Sequence, residues 1–196
     1  VSEATLQEPG LNAFTASDGV DLVWRELGAG RPILLLHGLF SNATVNWIKF
    51  GHAARIAAEG YRVIMPDLRA HGDSAAPHGP EHDPDDILAR DAEELVAHLG
   101  LDDFDLGGFS LGSRTAVRAV VRGMRPARLI LAGMGLEGLI GGSRRRDFFL
   151  RAIAEFDTSR RGDDTWLAIQ FMKTMKVDRI AAAHLLATFT DTPEAG

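Results

Sequence analysis

The stretch Gly108-Phe109-Ser110-Leu111-Gly112 decides the fold that we expect for this chain. It follows the apolar run 104–107 and precedes a stretch with helical periodicity, so it lies between a predicted strand and a predicted helix. G-x-S-x-G in that setting is typical of a nucleophile elbow, where a side chain two residues before or after the serine would collide with neighbouring main chain. We therefore predict that Ser110 occupies a strained turn, with its hydroxyl at the N-terminus of a helix.

On both sides of this turn, the predicted strands and helices alternate along the chain. Short apolar runs bounded by Gly and Pro predict buried parallel strands at 33–36, 61–66, 104–107 and 127–132. Helices are predicted at about 44–59 and over the stretch that carries Leu88 and Leu95 and ends at Gly100, with Asp83 as its cap. Near the N-terminus, Asp18-Gly19 separates two short segments and predicts a hairpin. Such alternation indicates a mostly parallel sheet flanked by helices.

The helix after Ser110 carries three arginines at four-residue spacing: Arg114, Arg118 and Arg122. This spacing predicts a solvated outer face, with Ala116, Val117, Val120 and Val121 turned inward. Beyond the Gly-rich stretch 133–142, helical patterns at 145–156, 164–176 and 178–189 indicate a helical insertion.

Composition excludes several classes of function. A chain of 196 residues with 45% hydrophobic content can bury a single core, and its net charge of −6 disfavours nucleic acid or an anionic membrane as a partner. Without cysteine there is no disulfide or thiolate site, and the histidine spacing matches no metal-ligand pattern. We expect no cofactor, no metal and no membrane span, and a cytoplasmic location.

Taken together, the chain resembles the α/β-hydrolase fold superfamily. The resemblance covers nearly the whole chain and rests on three motifs in order, 33–38 (Ile-Leu-Leu-Leu-His-Gly), 67–74 (Asp-Leu-Arg-Ala-His-Gly-Asp-Ser) and 108–112. It implies that 1–135 form the N-terminal part of the core, that 136–191 form a helical cap, and that 192–196 begin a C-terminal core segment whose strands and helices are missing.

The resemblance also implies roles for particular residues. Ser110 would attack a carbonyl carbon, and the backbone N–H groups of Leu39 and Leu111 would form the oxyanion hole. Relatives that open epoxides or displace halide carry aspartate at the elbow, so Ser110 favours acyl transfer. Phe40, Phe109 and the aromatic cap suggest a small, largely apolar acyl substrate, although such stripes are also common in cores. We expect a carboxylesterase-like serine hydrolase.

The base and the acid of this mechanism are not evident. In the family the acid and then the histidine follow the serine, yet the only histidine after Ser110 is His184, on a cap helix. Glu137 is a possible acid, with a polar loop residue as the alternative interpretation. We expect His37 and His71 to be structural, His52 and His98 to lie on helices, and His78 and His82 to lie in a polar loop.

A complementary partner is therefore expected. The strand at 127–132 would be an apolar edge if nothing followed it. We expect a C-terminal fragment or a second chain to cover this edge and to bring the histidine, and with it the acid.

Two other functions stay open at this point. An acyltransferase or perhydrolase would use the same elbow, with an acceptor other than water. A non-catalytic receptor or scaffold would keep the fold without the chemistry.

Overall fold

A computed structural model describes residues 9–192. Six strands form one sheet: β1 (Gly10–Thr15), β2 (Asp21–Leu27), β3 (Arg31–Leu36), β4 (Tyr61–Pro66), β5 (Asp105–Phe109) and β6 (Arg128–Ala132). The sheet order is β1-β2-β4-β3-β5-β6, with the β1–β2 hairpin antiparallel and β4, β3, β5 and β6 parallel. The predicted hairpin and the mostly parallel sheet are confirmed.

Helices cover the two faces of this sheet. These are α1 (His52–Ala58), α2 (Ile87–His98) and α3 (Leu111–Arg122). In β3, Ile33 and Leu35 pack in the cluster with Ala53 of α1, while Leu34 and Leu36 pack in the larger cluster of α2 and α3. Alternate residues of one apolar strand thus serve two cores, because successive side chains point to opposite faces.

Two helix predictions need correction. The stretch 44–59 is not one helix: a π-helix covers Thr44–Ile48, and α1 begins only after Gly51, whose φ of 75° breaks the helical path. Asp83 does not cap α2, because a 3₁₀ turn at Pro80–His82 delays the helix until Ile87. Asp86 is its N-cap residue and makes no side-chain capping bond.

The outer face of α3 differs from the prediction in two places. Arg114 is buried, with 8% of its surface exposed, whereas Val121, predicted to face inward, is 57% exposed. Arg118 and Arg122 do lie outside the core, paired with Asp86 and Glu93. The exposure predicted for Arg114 and Val121 from the spacing of the arginines is therefore wrong.

The strand β6, predicted as buried, is exposed along its whole length. Leu129, Ile130 and Leu131 are 39%, 48% and 39% exposed. Among the described strands, β6 pairs along one edge only, in parallel with β5 from Arg128 to Ala132. The expected open apolar edge is thus present in the described part of the chain.

The rest of the described chain is helical. After β6 come α4 (Leu136–Ile140), α5 (Gly142–Ala154), α6 (Trp166–Thr174) and α7 (Arg179–Ala187), and α4 was not predicted. The division at 135/136 and 191/192 stays a prediction, and 193–196 lie outside the described residues. Within residues 9–192, no helix combines the length and the apolar character that crossing a bilayer requires. The cytoplasmic location stays a prediction.

Candidate active site

Ser110 stands at the junction of β5 and α3, in a backbone conformation that a serine rarely adopts. Its φ is 54° and its ψ is −112°, so the turn is strained as the sequence predicts. A Cβ on Gly108 would lie 2.3 Å from the carbonyl oxygen of Gly112, and one on Gly112 would lie 2.0 Å from that of Leu36. Both glycines are therefore required by close main-chain contacts.

The elbow is tied to the edge strand. The Ser110 amide donates to the Ala132 carbonyl at 2.8 Å. The buried Ser113 hydroxyl accepts from the Ala132 amide at 3.0 Å and lies 2.6 Å from the Gly108 carbonyl oxygen. The sequence did not predict a role for Ser113, although a serine three positions after Ser110 faces back into the turn.

Ser110 opens into a cavity of about 930 Å³ between the sheet and the helices that follow β6. The side chain is half-buried and lies on the wall of this cavity, so it is not covered by packed side chains. A space of this size accommodates a ligand as large as a drug molecule. Most of the wall is apolar, including Phe40, Phe109, Phe149 and Leu186.

The two aromatic residues predicted for the substrate pocket both line the cavity. Phe40 is buried and meets Phe149 edge-on, with ring centroids 5.4 Å apart. Phe109 is 42% exposed. A Cβ on Gly38 would lie 3.2 Å from the Phe109 ring, and one on Gly133 would lie 2.7 Å from it, so the ring occupies a slot between two glycines.

Leu39 and Leu111 also lie on the cavity wall, beside Ser110. The Leu111 amide opens α3 and so has no partner within its own helix. In the described part of the chain, the Leu39 amide has no backbone acceptor either. The arrangement leaves two main-chain donors available on the same cavity wall as Ser110.

The turn that carries Leu39 is held from both sides. The Gly38 amide donates to Asn46 Oδ1 at 2.8 Å, and the Gly38 carbonyl oxygen lies 2.8 Å from His37 Nδ1. His37 Nε2 accepts from the Leu68 amide at 2.9 Å, which fixes the neutral ring with its proton on Nδ1. The sequence does not predict the contact of Asn46, because it depends on the π-helical path of 44–48.

Burial keeps both histidines of this region neutral. It lowers the pKa of His37 to about 3, with nearby His71 as the second cause. Burial also lowers the pKa of His71, whose Nδ1 lies 2.8 Å from the Arg69 carbonyl oxygen. The rings are therefore uncharged near neutral pH and brace the loops, in keeping with the structural role expected of them.

No histidine reaches the serine within residues 9–192. His78 pairs with Asp178, and His98 stacks against Phe14. His184 does not line the cavity. His52 does lie on the cavity wall, although the sequence assigned it only to a helix. None of these rings forms a hydrogen bond with Ser110 in the described part of the chain.

Glu137, the possible acid, lies in the first turn of α4. Its side chain is exposed, and it is not part of the cavity wall. Its role stays a prediction.

A mostly parallel sheet with a strained G-x-S-x-G turn between a strand and a helix is typical of the α/β-hydrolase fold. The profile of the family described as the alpha/beta hydrolase fold matches residues 31–129, and the chain belongs to this family. A non-heme haloperoxidase of Rhodococcus erythropolis is 41% identical over 124 residues, which are 61% of this chain and 42% of that protein. An epoxide hydrolase of Caballeronia sordidicola is 34% identical over 118 residues, 58% of this chain and 33% of that protein. The chain thus spans less than half the length of these curated relatives.

Solved structures agree on the fold. An esterase from Exiguobacterium antarcticum superposes with a TM-score of 0.63 at 22% identity, covering 90% of this chain and 72% of the esterase. A hydrolase from Pseudomonas aeruginosa gives a TM-score of 0.63 at 21% identity, covering 91% and 72%.

Proposed function

We propose that this chain is the nucleophile-bearing part of a serine hydrolase that acts on a largely apolar ester through an acyl-enzyme. The observation that carries the proposal is the strained Ser110, with a φ of 54°, on the wall of a large apolar cavity. Backbone strain at a non-glycine residue persists only where the surroundings enforce it, and it clusters at active sites. The esterase among the structural neighbours supports only the fold.

In this proposal Ser110 Oγ attacks the carbonyl carbon of the substrate and loses its proton to an imidazole base. The oxygen that becomes negative lies between the Leu39 and Leu111 amides, which donate to it in the tetrahedral intermediate. When the intermediate collapses, the bond to the leaving alcohol breaks and the imidazolium returns the proton to that alcohol. Water then repeats the sequence and releases the acid.

The proposal requires a base from outside the described residues. We propose that a segment following residue 196, or a second chain, pairs with β6 and supplies the histidine and the acid. The exposed Leu129, Ile130 and Leu131 support this, because an apolar strand edge is costly unless it is covered. A strand parallel to β6 would end at the edge of the sheet where β5 delivers Ser110, so its following loop would lie beside the nucleophile.

Active-site labelling tests the assignment. The complete protein should react with a fluorophosphonate probe and hydrolyse p-nitrophenyl esters. Ser110→Ala should abolish both, because the proposed covalent adduct forms on Ser110 Oγ. Ser159→Ala, on the loop between α5 and α6, is the matched control and should retain both. Full ester turnover by Ser110→Ala, or no labelling of the complete wild-type protein, would reject the proposal, and the second result would favour a scaffold.

A perhydrolase is the second candidate, and the name of the haloperoxidase relative favours it. Hydrogen peroxide would replace water as the acceptor, so the acyl-enzyme would release a peracid in place of the acid. Measuring peracid and acid formed from one ester at rising peroxide concentration would separate the two functions. Epoxide opening is disfavoured, since Ser110 stands where that mechanism uses a carboxylate.

A further inference from the structure

The charged side chains on the wall of the Ser110 cavity all belong to one residue type. No Asp or Glu belongs to the wall formed by residues 9–192, and the charged residues that do are four arginines: Arg114, Arg144, Arg145 and Arg146. This is unexpected in a chain with a net charge of −6. Clefts lined by one sign of charge attract ligands of the opposite sign.

Arg114 is the most buried of the four. It lies one helical turn after Ser110 on α3 and is 8% exposed. One of its terminal nitrogens donates to the Thr190 carbonyl oxygen, and its guanidinium carbon lies 4.9 Å from the centre of the Phe189 ring. Its Nε is buried and has no hydrogen-bond partner in the described part of the chain. Burial, followed by repulsion from Arg118, lowers the pKa of Arg114.

The carboxylates near Arg114 are committed to other groups. Asp86 binds Arg118 through both oxygens, at 2.7 and 2.6 Å. Asp191 Oδ1 accepts from the Ser143 amide at 3.1 Å. Within residues 9–192, Arg114 therefore has no direct carboxylate partner, and a buried cation in that position is costly until an anion reaches it.

The first turns of α5 add positive charge on the same wall. Arg144 and Arg145 are exposed and form no ion pair within residues 9–192; Arg145 Nη1 lies 3.7 Å from Met134 Sδ. Arg146 contributes less, because it pairs with the adjacent Asp147 at 3.0 Å. A Cβ on Gly142 would lie 3.6 Å from Arg114 Nε, which places Arg114 directly under the start of this helix.

We propose that the acyl chain of the substrate ends in a carboxylate, which Arg114, Arg144 and Arg145 bind while the apolar wall holds the chain. The substrate class is then the half-esters of dicarboxylic acids, and this inference rests on the proposed function. Arg114 lies four positions after Ser110, which corresponds to a rise of about 6 Å along the helix axis. A chain of a few methylenes would therefore join the scissile carbonyl to the carboxylate. Guanidinium groups suit that end because they bind carboxylates with two parallel hydrogen bonds.

Equilibrium binding tests this without catalysis. Isothermal titration of the complete protein carrying Ser110→Ala would compare monobenzyl adipate with methyl benzyl adipate, which differ in whether the far end is a free carboxylate or an uncharged methyl ester. We expect the acid to bind about tenfold more tightly or better, since hydrogen bonds to charged groups are the strong ones. Added salt should reduce the preference.

Three variants, each combined with Ser110→Ala, locate the effect. Arg114→Met should remove most of the preference. Arg144→Gln with Arg145→Gln should weaken it, and these exposed positions keep the test valid if Arg114→Met does not fold. Arg122→Gln is the matched control, since Arg122 lies on α3, pairs with Glu93 and is not on the cavity wall.

Each outcome has a separate meaning. Equal affinity for the acid and the diester, or a preference that survives both the Arg114 and the Arg144/Arg145 changes, would overturn the inference. A preference that follows these arginines while the complete wild-type protein resists the fluorophosphonate probe would support the anion site and reject the proposed hydrolase. Normal labelling without a preference for the acid would reject the anion site alone.

Discussion

Replacing Gly112 by alanine should cost this protein much of its stability. The new Cβ would lie 2.0 Å from the Leu36 carbonyl oxygen and 2.5 Å from its carbon. Real Cβ contacts essentially never fall under 3.0 Å, so α3 and β3 would have to separate by about 1 Å. Overpacking typically costs about 1–3 kcal/mol. Here the obstacle is main chain of a strand paired on both sides, so we expect about 3 kcal/mol or more, out of a typical total of about 5–15 kcal/mol.

Urea unfolding followed by circular dichroism measures this effect. Gly112→Ala should lower the midpoint strongly with little change in slope, because the surface exposed on unfolding is unchanged. Gly135→Ala is the matched control: its φ is −95° and nothing lies within 4 Å of the added Cβ, so it should shift stability by no more than about 0.5 kcal/mol. A loss under about 1 kcal/mol for Gly112→Ala would show that the elbow can relax and that its glycine is not required by close contact.

Two further predictions concern buried charge. Burial lowers the pKa of His37 in the folded protein to about 3, whereas the ordinary pKa of histidine is near 6.5. As the pH falls below about 6.5, the unfolded chain therefore takes up a proton that the folded chain does not. Stability should therefore be fully present above pH about 6.5 and decline toward pH about 3, by up to about 1.4 kcal/mol per pH unit, and His37→Gln should flatten this slope in urea titrations. Arg69 is fully buried and binds Asp91 at 3.0 and 2.8 Å, so Arg69→Met should cost about 3–5 kcal/mol by leaving that carboxylate unpaired. Exposed Arg55→Met should change stability little by the same measurement, and an equal loss in both variants would contradict the ion-pair argument.

The elbow and the central strands could be predicted because their signals are local. Glycines at 108 and 112 are required by atoms within a few residues and by the adjacent strand. The apolar run of β3 follows Pro32, and that of β4 lies between Gly60 and Pro66. The mostly parallel sheet follows from their alternation with helices. These features need no knowledge of distant contacts.

The features that could not be predicted from the sequence depend on contacts between residues far apart in the chain. The spacing of Arg114 predicts exposure to solvent, yet residues 189 and 190, about 75 positions later, fold over it. The break at Gly51 and the π-helix before it place Asn46 under Gly38, and helical periodicity does not distinguish these from one continuous helix. Asp86 likewise has left-handed backbone angles, which delay the start of α2, and the local sequence pattern does not predict this conformation.

The geometry of the turn at Ser110 depends on the edge strand β6. Ser110 and Ser113 both form hydrogen bonds with Ala132 of β6, so the position of Ser110 depends on the strand whose far side is exposed in the described structure. A segment that pairs with β6 would therefore act twice: it would stiffen the strand that fixes the serine, and its following loop would bring the base to the same edge of the sheet. Covering the edge and completing the chemistry are then a single event. Probe labelling of Ser110 and protection of the β6 amides from hydrogen exchange should consequently rise together when the complementary segment binds.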